Sequence, residues 1–154
     1  MNQEEFKSHP YFTKYDIGTF GNIKGHYKDR FVKQLDNGDG YYKITIIDND
    51  GKYFNRKIHR LVAETWIDNP ENRPEVDHID RNPKNNHISN LRWATHRENM
   101  NNLSVRKDSK TGYKNINIMP IRYRYRRNGI MRNFKTLEEA VEFKIKYETD
   151  NNIT

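Results

Sequence analysis

The 154-residue chain contains no cysteine, which excludes both a disulfide framework and a thiolate zinc site. Apolar residues are scarce, 33% against 32% charged, so no single large core is expected. Small modules with modest cores, stabilised in part by a bound partner, fit better. No run approaches the length of a membrane span, and the N-terminus lacks the apolar centre of a signal peptide, so the expectation is a cytoplasmic protein without a membrane role. Nothing suggests an activated nucleophile, a glycine-rich cofactor loop or a small-molecule pocket. An even spread of charge is also missing. Residues 1–104 hold 16 Lys/Arg against 15 Asp/Glu, whereas residues 105–135 hold 10 Lys/Arg against Asp108 alone, within a net charge of +7. Such a block is usually a solvated face, but interleaved with aromatic residues it reads better as a surface for a polyanion. Ten Tyr and seven Phe supply much of the available core, and the length allows one ordinary domain or two small ones.

The most informative stretch is residues 75–102, EVDHIDRNPKNNHISNLRWATHRENMNN. Asp77 and His78 lie in a short apolar-flanked run, a polar loop follows, and Ile88 to Trp93 reads as a second short strand. Thr95 with Glu98 three residues on forms a capping box that starts a helix at His96, with Asn99 in its first turns. The pattern predicts strand, loop, strand and helix, with Asp77 and His78 facing Asn99 across the unit. Hydrolysis of a phosphodiester needs a cation to absorb charge on the phosphate and a base to deprotonate water. Asp77 offers a hard anionic oxygen and Asn99 an amide oxygen, a set suited to one Mg²⁺ or Mn²⁺ ion. His78, with an ordinary pKa of about 6.5, is able to accept a proton near neutrality. Asn90 is placed to bond backbone groups and hold the two strands together. An Asp-His pair alone is commonly a surface turn; the capping box, strand pattern, spacing and basic flank point the other way.

Residues 58–102 closely resemble the HNH endonucleases, above all the homing enzymes of mobile introns, in the pattern HRLVA, VDHID, NN, NL-W-T and EN. The resemblance implies His78 as general base and Asn90 as the loop-shaping residue of the catalytic set. It implies Asp77 and Asn99 as metal ligands. Trp66 stands where Phe is usual, a core change. The products implied are 5′-phosphate and 3′-hydroxyl ends. Arg97 is a candidate for charge stabilisation or DNA contact. His87 and His96 flank the site without an assigned role.

Upstream, residues 1–12 carry no clear signal. Tyr15 to Gly25 reads as short extended pieces punctuated by glycine, resembling the small motif that often precedes HNH units, with Gly18 where Ser is common. Residues 38–58 predict a hairpin turning at Asp48–Gly51. Its Lys43, Lys52, Arg56 and Lys57 serve equally as phosphate contacts or solvated edge charges. His59 to Ile67 reads as a short helix with Leu61, Val62, Thr65 and Trp66 on one face, stopped by Asn69-Pro70; His59 is read as structural.

Downstream of a polar, basic linker, Ile121 to Arg126 alternates strictly, which places Arg122, Arg124 and Arg126 on one face of a strand. Asn128-Gly129 signals a tight turn and Ile130 to Phe134 a return strand. Thr136 and Glu139 form a second capping box, followed by a helix with Leu137, Ala140, Val141, Lys144 and Tyr147 on one stripe, ending near Glu148. Three short strands and a helix, with "TGYKNI" before them and "F-TLEEAVEF" after, resemble the apetala-type DNA-binding domain. That resemblance turns Arg122, Arg124 and Arg126 toward DNA, with Lys114 a further contact.

The expected fold class is α+β: an N-terminal β-rich part over 1–57, an HNH module over 58–103, a linker over 104–112 and a sheet-plus-helix reader over 113–150. The expected function is a metal-dependent, sequence-tolerant endonuclease acting on double-stranded DNA. One copy of the motif and no dimerisation stripe imply a monomer that nicks one strand, with no protein partner. A catalytically inactive DNA-binding regulator is the alternative.

Overall fold

The computed structural model describes residues 3–27, 30–36, 38, 40–105, 108–120 and 122–153. Arg106 and Lys107 of the basic linker and Ile121 of the alternating strand lie outside the described residues. The fold is α+β and divides into two compact units, 1–102 and 103–154.

In the first unit, β1 (Phe6–Ser8), β2 (Tyr15–Gly18), β3 (Ile23–Gly25) and β4 (Arg30–Phe31) form an antiparallel meander. Within the segment that carries no sequence signal, Phe6–Ser8 therefore form a strand. β1 pairs with β2, and buried His9 accepts the backbone N–H groups of Tyr11 and Phe12 on Nδ1 while its Nε2 faces Glu64 at 3.2 Å. Glu64 also holds Arg56 at 2.7 and 2.8 Å, so that guanidinium is paired within the unit. At Gly18 a side chain would run into Glu4, whose carboxylate closes the next turn by accepting the backbone N–H of Phe20 and of Asn22.

A second antiparallel sheet joins β5 (Leu35–Asp36), β6 (Tyr42–Ile47) and β7 (Tyr53–Lys57). The expected hairpin turn forms where Asp48 Oδ1 accepts from the N–H of Asp50 and Lys52 at 2.9 and 2.8 Å. Helix α1 (Ile58–Trp66) follows directly and ends as Ile67 turns extended ahead of Pro70. Alternate residues of β6, Ile44 and Ile46, point inward and meet Ile58, Leu61 and Val62 of α1, Ile17 and Ile23 of the meander, and Val76 and Leu91 downstream. Each such side chain contributes about 1.5–3 kcal/mol on full burial. A boundary at residue 57 would cut through this shared core, so the β-rich part and the HNH segment are one unit. Trp66 seals its edge, the indole N–H donating to the Ile17 carbonyl at 3.0 Å.

The segment of interest supplies β8 (Glu75–His78), a single 3₁₀ turn (Ile88–Asn90), β9 (Leu91–Ala94) and helix α2 (His96–Asn102). The second strand is thus shorter than expected. His87 caps the 3₁₀ turn by accepting the Ser89 N–H, which keeps residues 88–90 out of the ladder.

The second unit contains β10 (Ile116–Met119), β11 (Arg122–Arg127) and β12 (Ile130–Phe134) in an antiparallel sheet, and α3 (Leu137–Asp150), two residues longer than expected. Thr136 and Glu139 form the reciprocal capping box. Ile116, Tyr125 and Ala140 are buried at the centre, ringed by Phe134, Leu137, Val141, Phe143 and Tyr147. Phe143, off the expected stripe, packs edge-on against Tyr125 with ring centroids 5.5 Å apart. Lys144, the polar break in that stripe, pairs with Glu148 at 2.7 Å. Glu148 also binds the buried Arg127 at 2.8 Å and tethers α3 to the sheet.

Among the described residues no helix is long and apolar enough to cross a membrane.

Candidate active site

The β8–β9 ladder sets Glu75 opposite Ala94, Asp77 opposite Arg92 and His78 opposite Leu91. Alternation along β8 sends Glu75 and Asp77 to one face, crossed by α2. The Thr95–Glu98 box that starts α2 forms on both sides: Glu98 N–H donates to the Thr95 hydroxyl at 3.2 Å, and Thr95 N–H to Glu98 Oε2 at 2.7 Å. One helical turn rises about 5 Å and two strand residues about 6.7 Å, so successive turns of α2 meet alternate residues of β8.

The pairing within that face differs from the expected one. Asn99 bonds Glu75 through its amide, while Asn102, one turn on, meets Asp77. Asn102 Nδ2 lies 2.9 Å from Asp77 Oδ1, 3.0 Å from Oδ2 and 2.8 Å from the His78 carbonyl. Arg92 donates from Nε at 3.0 Å and Nη2 at 2.8 Å to Asp77 Oδ2. Glu75, held below the usual carboxylate range by the Asn99 amide and then by His96, is bonded to the His96 ring at 2.7 Å. His96 is thereby occupied as a partner of Glu75.

His78 is 6% exposed. Burial holds its pKa below the usual imidazole value, and Asn86, Asp80 and Asp77 oppose that only in part, so the ring is a neutral base. Asn86 Oδ1 stands 3.4 Å from Nε2, an acceptor that favours the proton there and leaves the Nδ1 lone pair to take another. The ring is walled by His59, edge-on at 4.8 Å, and by Tyr41 at 6.0 Å. Burial, then the neighbouring His78, lowers His59 to about 3, which keeps it uncharged against the base and agrees with a structural role. Lys57 lies over the Tyr41 ring at 3.9 Å.

Asn90 touches neither His78 nor Asp77 through its side chain. Its Oδ1 accepts the Asp80 N–H, and its Nδ2 donates to Asp80 Oδ1 and to the Asn85 carbonyl, all at 2.9 Å. It is a positioning residue that closes the 79–90 loop. Asp80 is the other organiser of that loop, accepting from Asn82 and Asn85 as well. Arg97 is exposed on the first turn of α2. Lys114 has its ammonium on the Leu103 carbonyl at 2.6 Å, which fastens the linker to the start of the second unit.

Four residues of the site escape sequence reasoning: Arg92, Asn102, Asn86 and Gly21. Arg92 and Asn102 stand in plain view, but only the ladder register and the helix crossing reveal that they reach Asp77. Gly21 lies far upstream, at φ +92°, and a Cβ there would stand 2.7 Å from Asn86 Cβ and 3.3 Å from Ile58 Cγ2. Gly21→Ala is expected to cost about 1–3 kcal/mol, from overpacking and a left-handed backbone, read as a lower denaturation midpoint. An unchanged midpoint would mean the Asn86 loop yields freely.

An asparagine-rich loop closed behind an aspartate-histidine pair, with a helix crossing the strand that carries them, is an HNH arrangement. Residues 56–101 match the HNH endonuclease family model, and the chain carries an HNH endonuclease domain there. It is 41% identical over 88 residues to the uncharacterized HNH endonuclease L245 of Acanthamoeba polyphaga mimivirus, covering 56% of this chain and 26% of that protein. It is 33% identical over 93 residues to the DNA endonuclease I-HmuI of Bacillus phage SP01, covering 60% and 52%. A solved structure described as DNA binding and cleavage by the HNH homing endonuclease I-HmuI superposes with a TM-score of 0.59 at 29% identity, over 90% of this chain and 82% of that one. In sequence, the chain spans about a quarter to a half of the length of these curated relatives.

Among the described residues no three His, Cys, Asp or Glu side chains cluster as a metal cage. The buried Asp77 carboxylate lies beside the Asn102 amide, whose Nδ2 now faces it; with that amide turned over, the two form a hard-oxygen set of the kind that fits Mg²⁺ or Mn²⁺, which often bind through one or two carboxylates and complete their shell with water and substrate phosphate.

Proposed function

We propose that this protein is a metal-dependent endonuclease that hydrolyses a phosphodiester of double-stranded DNA at the β8–α2 site. The observation that carries the reading is the adjacency of Asp77 and His78, both buried, on the strand that α2 crosses. Asp77 with Asn99, and Asn102 as the amide already at Asp77, would hold one Mg²⁺ or Mn²⁺, which supplies positive charge against the phosphate and the leaving 3′ oxygen. His78 takes a proton from water on Nδ1, and the resulting hydroxide attacks phosphorus in line with the 3′ oxygen. The protein so read would leave 5′-phosphate and 3′-hydroxyl ends. Asn86 holds the ring at Nε2, and His59 and Tyr41 exclude water from its far side. Working as a monomer, one site nicks one strand per encounter. The test is plasmid nicking in Mg²⁺ or Mn²⁺ with and without chelator. Nicking that appears only with the ion supports the reading, and DNA binding without nicking in either ion would leave an inactive regulator instead.

DNA is proposed to lie on the open face of the second unit in the manner of the apetala-type domain. Opposite α3, that face carries Arg122, Arg124 and Arg126, flanked across the ladder by Met119, Met131, Asn117 and Asn133. Arg122 and Arg126 are exposed, while Tyr125 and Arg127 point to the helix side and are buried. Arg124 is steadied by Asn133 at 2.9 Å. Replacing all three by alanine is expected to reduce the slope of log affinity against log salt by roughly 2–3, about 0.9 for each phosphate no longer neutralised. Binding measured over a salt series checks this; an unchanged slope would leave the arginine face merely solvated.

A further inference from the structure

Both oxygens of Asp77 are already engaged as the chain stands. Oδ1 accepts from Asn102, and Oδ2 accepts from Arg92 twice and from Asn102. The carboxylate is 5% exposed while the Arg92 side chain is 49% exposed. A buried carboxylate requires a counter-charge, and Arg92, directly across the ladder, provides it. A divalent ion needs direct contact with a carboxylate oxygen, about 2.0–2.1 Å for Mg²⁺. The two residues that now fill those directions differ in what they are able to do next. Asn102 is a neutral amide: rotated by half a turn it presents Oδ1 to a cation. Arg92 has donors only and a permanent positive charge, so it is never itself a ligand, and it repels a divalent ion that approaches the same oxygen.

We propose that Arg92 is a resident counter-ion of Asp77, displaced from Oδ2 when a divalent metal ion binds and released to the phosphate of the bound DNA. This rests on Asp77 being a metal ligand. It makes the metal-free site stable without a bare buried anion, and it makes metal loading a competition between two cations. The half-exposed stem lets the guanidinium swing into solvent, and a DNA phosphate beside the loaded site is the anion that would receive it.

The experiment is Mn²⁺ binding by the full chain without DNA, followed by calorimetry and by loss of the free Mn²⁺ magnetic-resonance signal. Arg92→Gln and Arg92→Ala are expected to bind Mn²⁺ about threefold to tenfold more tightly than the parent, the scale of one half-exposed ion pair. A variant that merely loosened the site would bind more weakly, the opposite sign. Parental or weaker affinity in Arg92→Gln, at an unchanged melting temperature, overturns the proposal; Arg92→Lys, which keeps the charge, serves in its place if the glutamine variant does not fold, and is expected to stay near the parent while Arg92→Ala tightens. Asp77→Ala separates this from the underlying reading. Abolished Mn²⁺ binding there with no gain in the Arg92 variants defeats only the competition, whereas retained binding shows that Asp77 is not the ligand and removes both.

Discussion

His78→Ala is expected to slow DNA cleavage by about 10²–10⁴-fold while leaving DNA affinity near the parental value, as loss of a general base does. In free energy that is about 2.7–5.5 kcal/mol of transition-state stabilisation. The ring lies one residue from Asp77, and burial holds it uncharged, as the proposed base role requires. Alanine would leave water to lose its proton to bulk solvent. It would also leave the Asn86, His59 and Tyr41 pocket without its central ring, so folding must be matched by denaturation before rates are compared. Nicking rate and gel-shift affinity on one preparation decide the matter. A rate within about tenfold of the parent, at full metal, would remove His78 as the base.

Arg127→Ala is expected to destabilise the second unit by about 3 kcal/mol, the lower end for breaking a buried pair, because Lys144 remains on Glu148. Arg127 is 7% exposed and bonds a carboxylate that itself accepts from Tyr125 at 3.4 Å. The two tryptophans, Trp66 and Trp93, both lie in the first unit. Amide exchange of β10–β12 should therefore accelerate while the tryptophan fluorescence transition stays in place. Coincident shifts of both would show that the pair holds more than its own unit. Glu148 gives the same contact a pH signature. Burial would raise its pKa, but Lys144 and Arg127 outweigh that and hold it below 4.5. A depressed carboxylate contributes its stability fully above the unfolded value, and loses it as pH falls through the folded one. The second unit should thus weaken below about pH 4.5, and less so in Arg127→Ala.

Elements governed by neighbours in sequence were legible from the residues. The capping boxes at Thr95 and Thr136, the turns at Asp48–Gly51 and Asn128-Gly129, the stop at Pro70 and the alternation of Arg122, Arg124 and Arg126 all depend on contacts within a few residues. The α+β class and the strand that bears Asp77 and His78 follow from the same short-range rules. Order in residues 3–12 was not legible, because its cause is His9 bonding Glu64, 55 residues away. Nor was the union of the β-rich part with the HNH segment, since a core assembled from Ile17, Ile44, Leu61 and Val76 has no local signature.

Within the site the same division holds. Composition and spacing alone determined which donors are available: one aspartate, one adjacent histidine and a run of asparagines on the following helix. Which amide meets the carboxylate was decided by the tertiary structure. Successive turns of α2 meet alternate residues of β8, and the point at which the helix crosses the strand puts Asn99 on Glu75 and Asn102 on Asp77. The ladder register likewise assigned Arg92 to Asp77, and Gly21, brought in from a distant turn, left room for the Asn86 that faces His78. Those pairings are set by distances in space between elements that the chain order does not specify, and only packing the shared core brings them together.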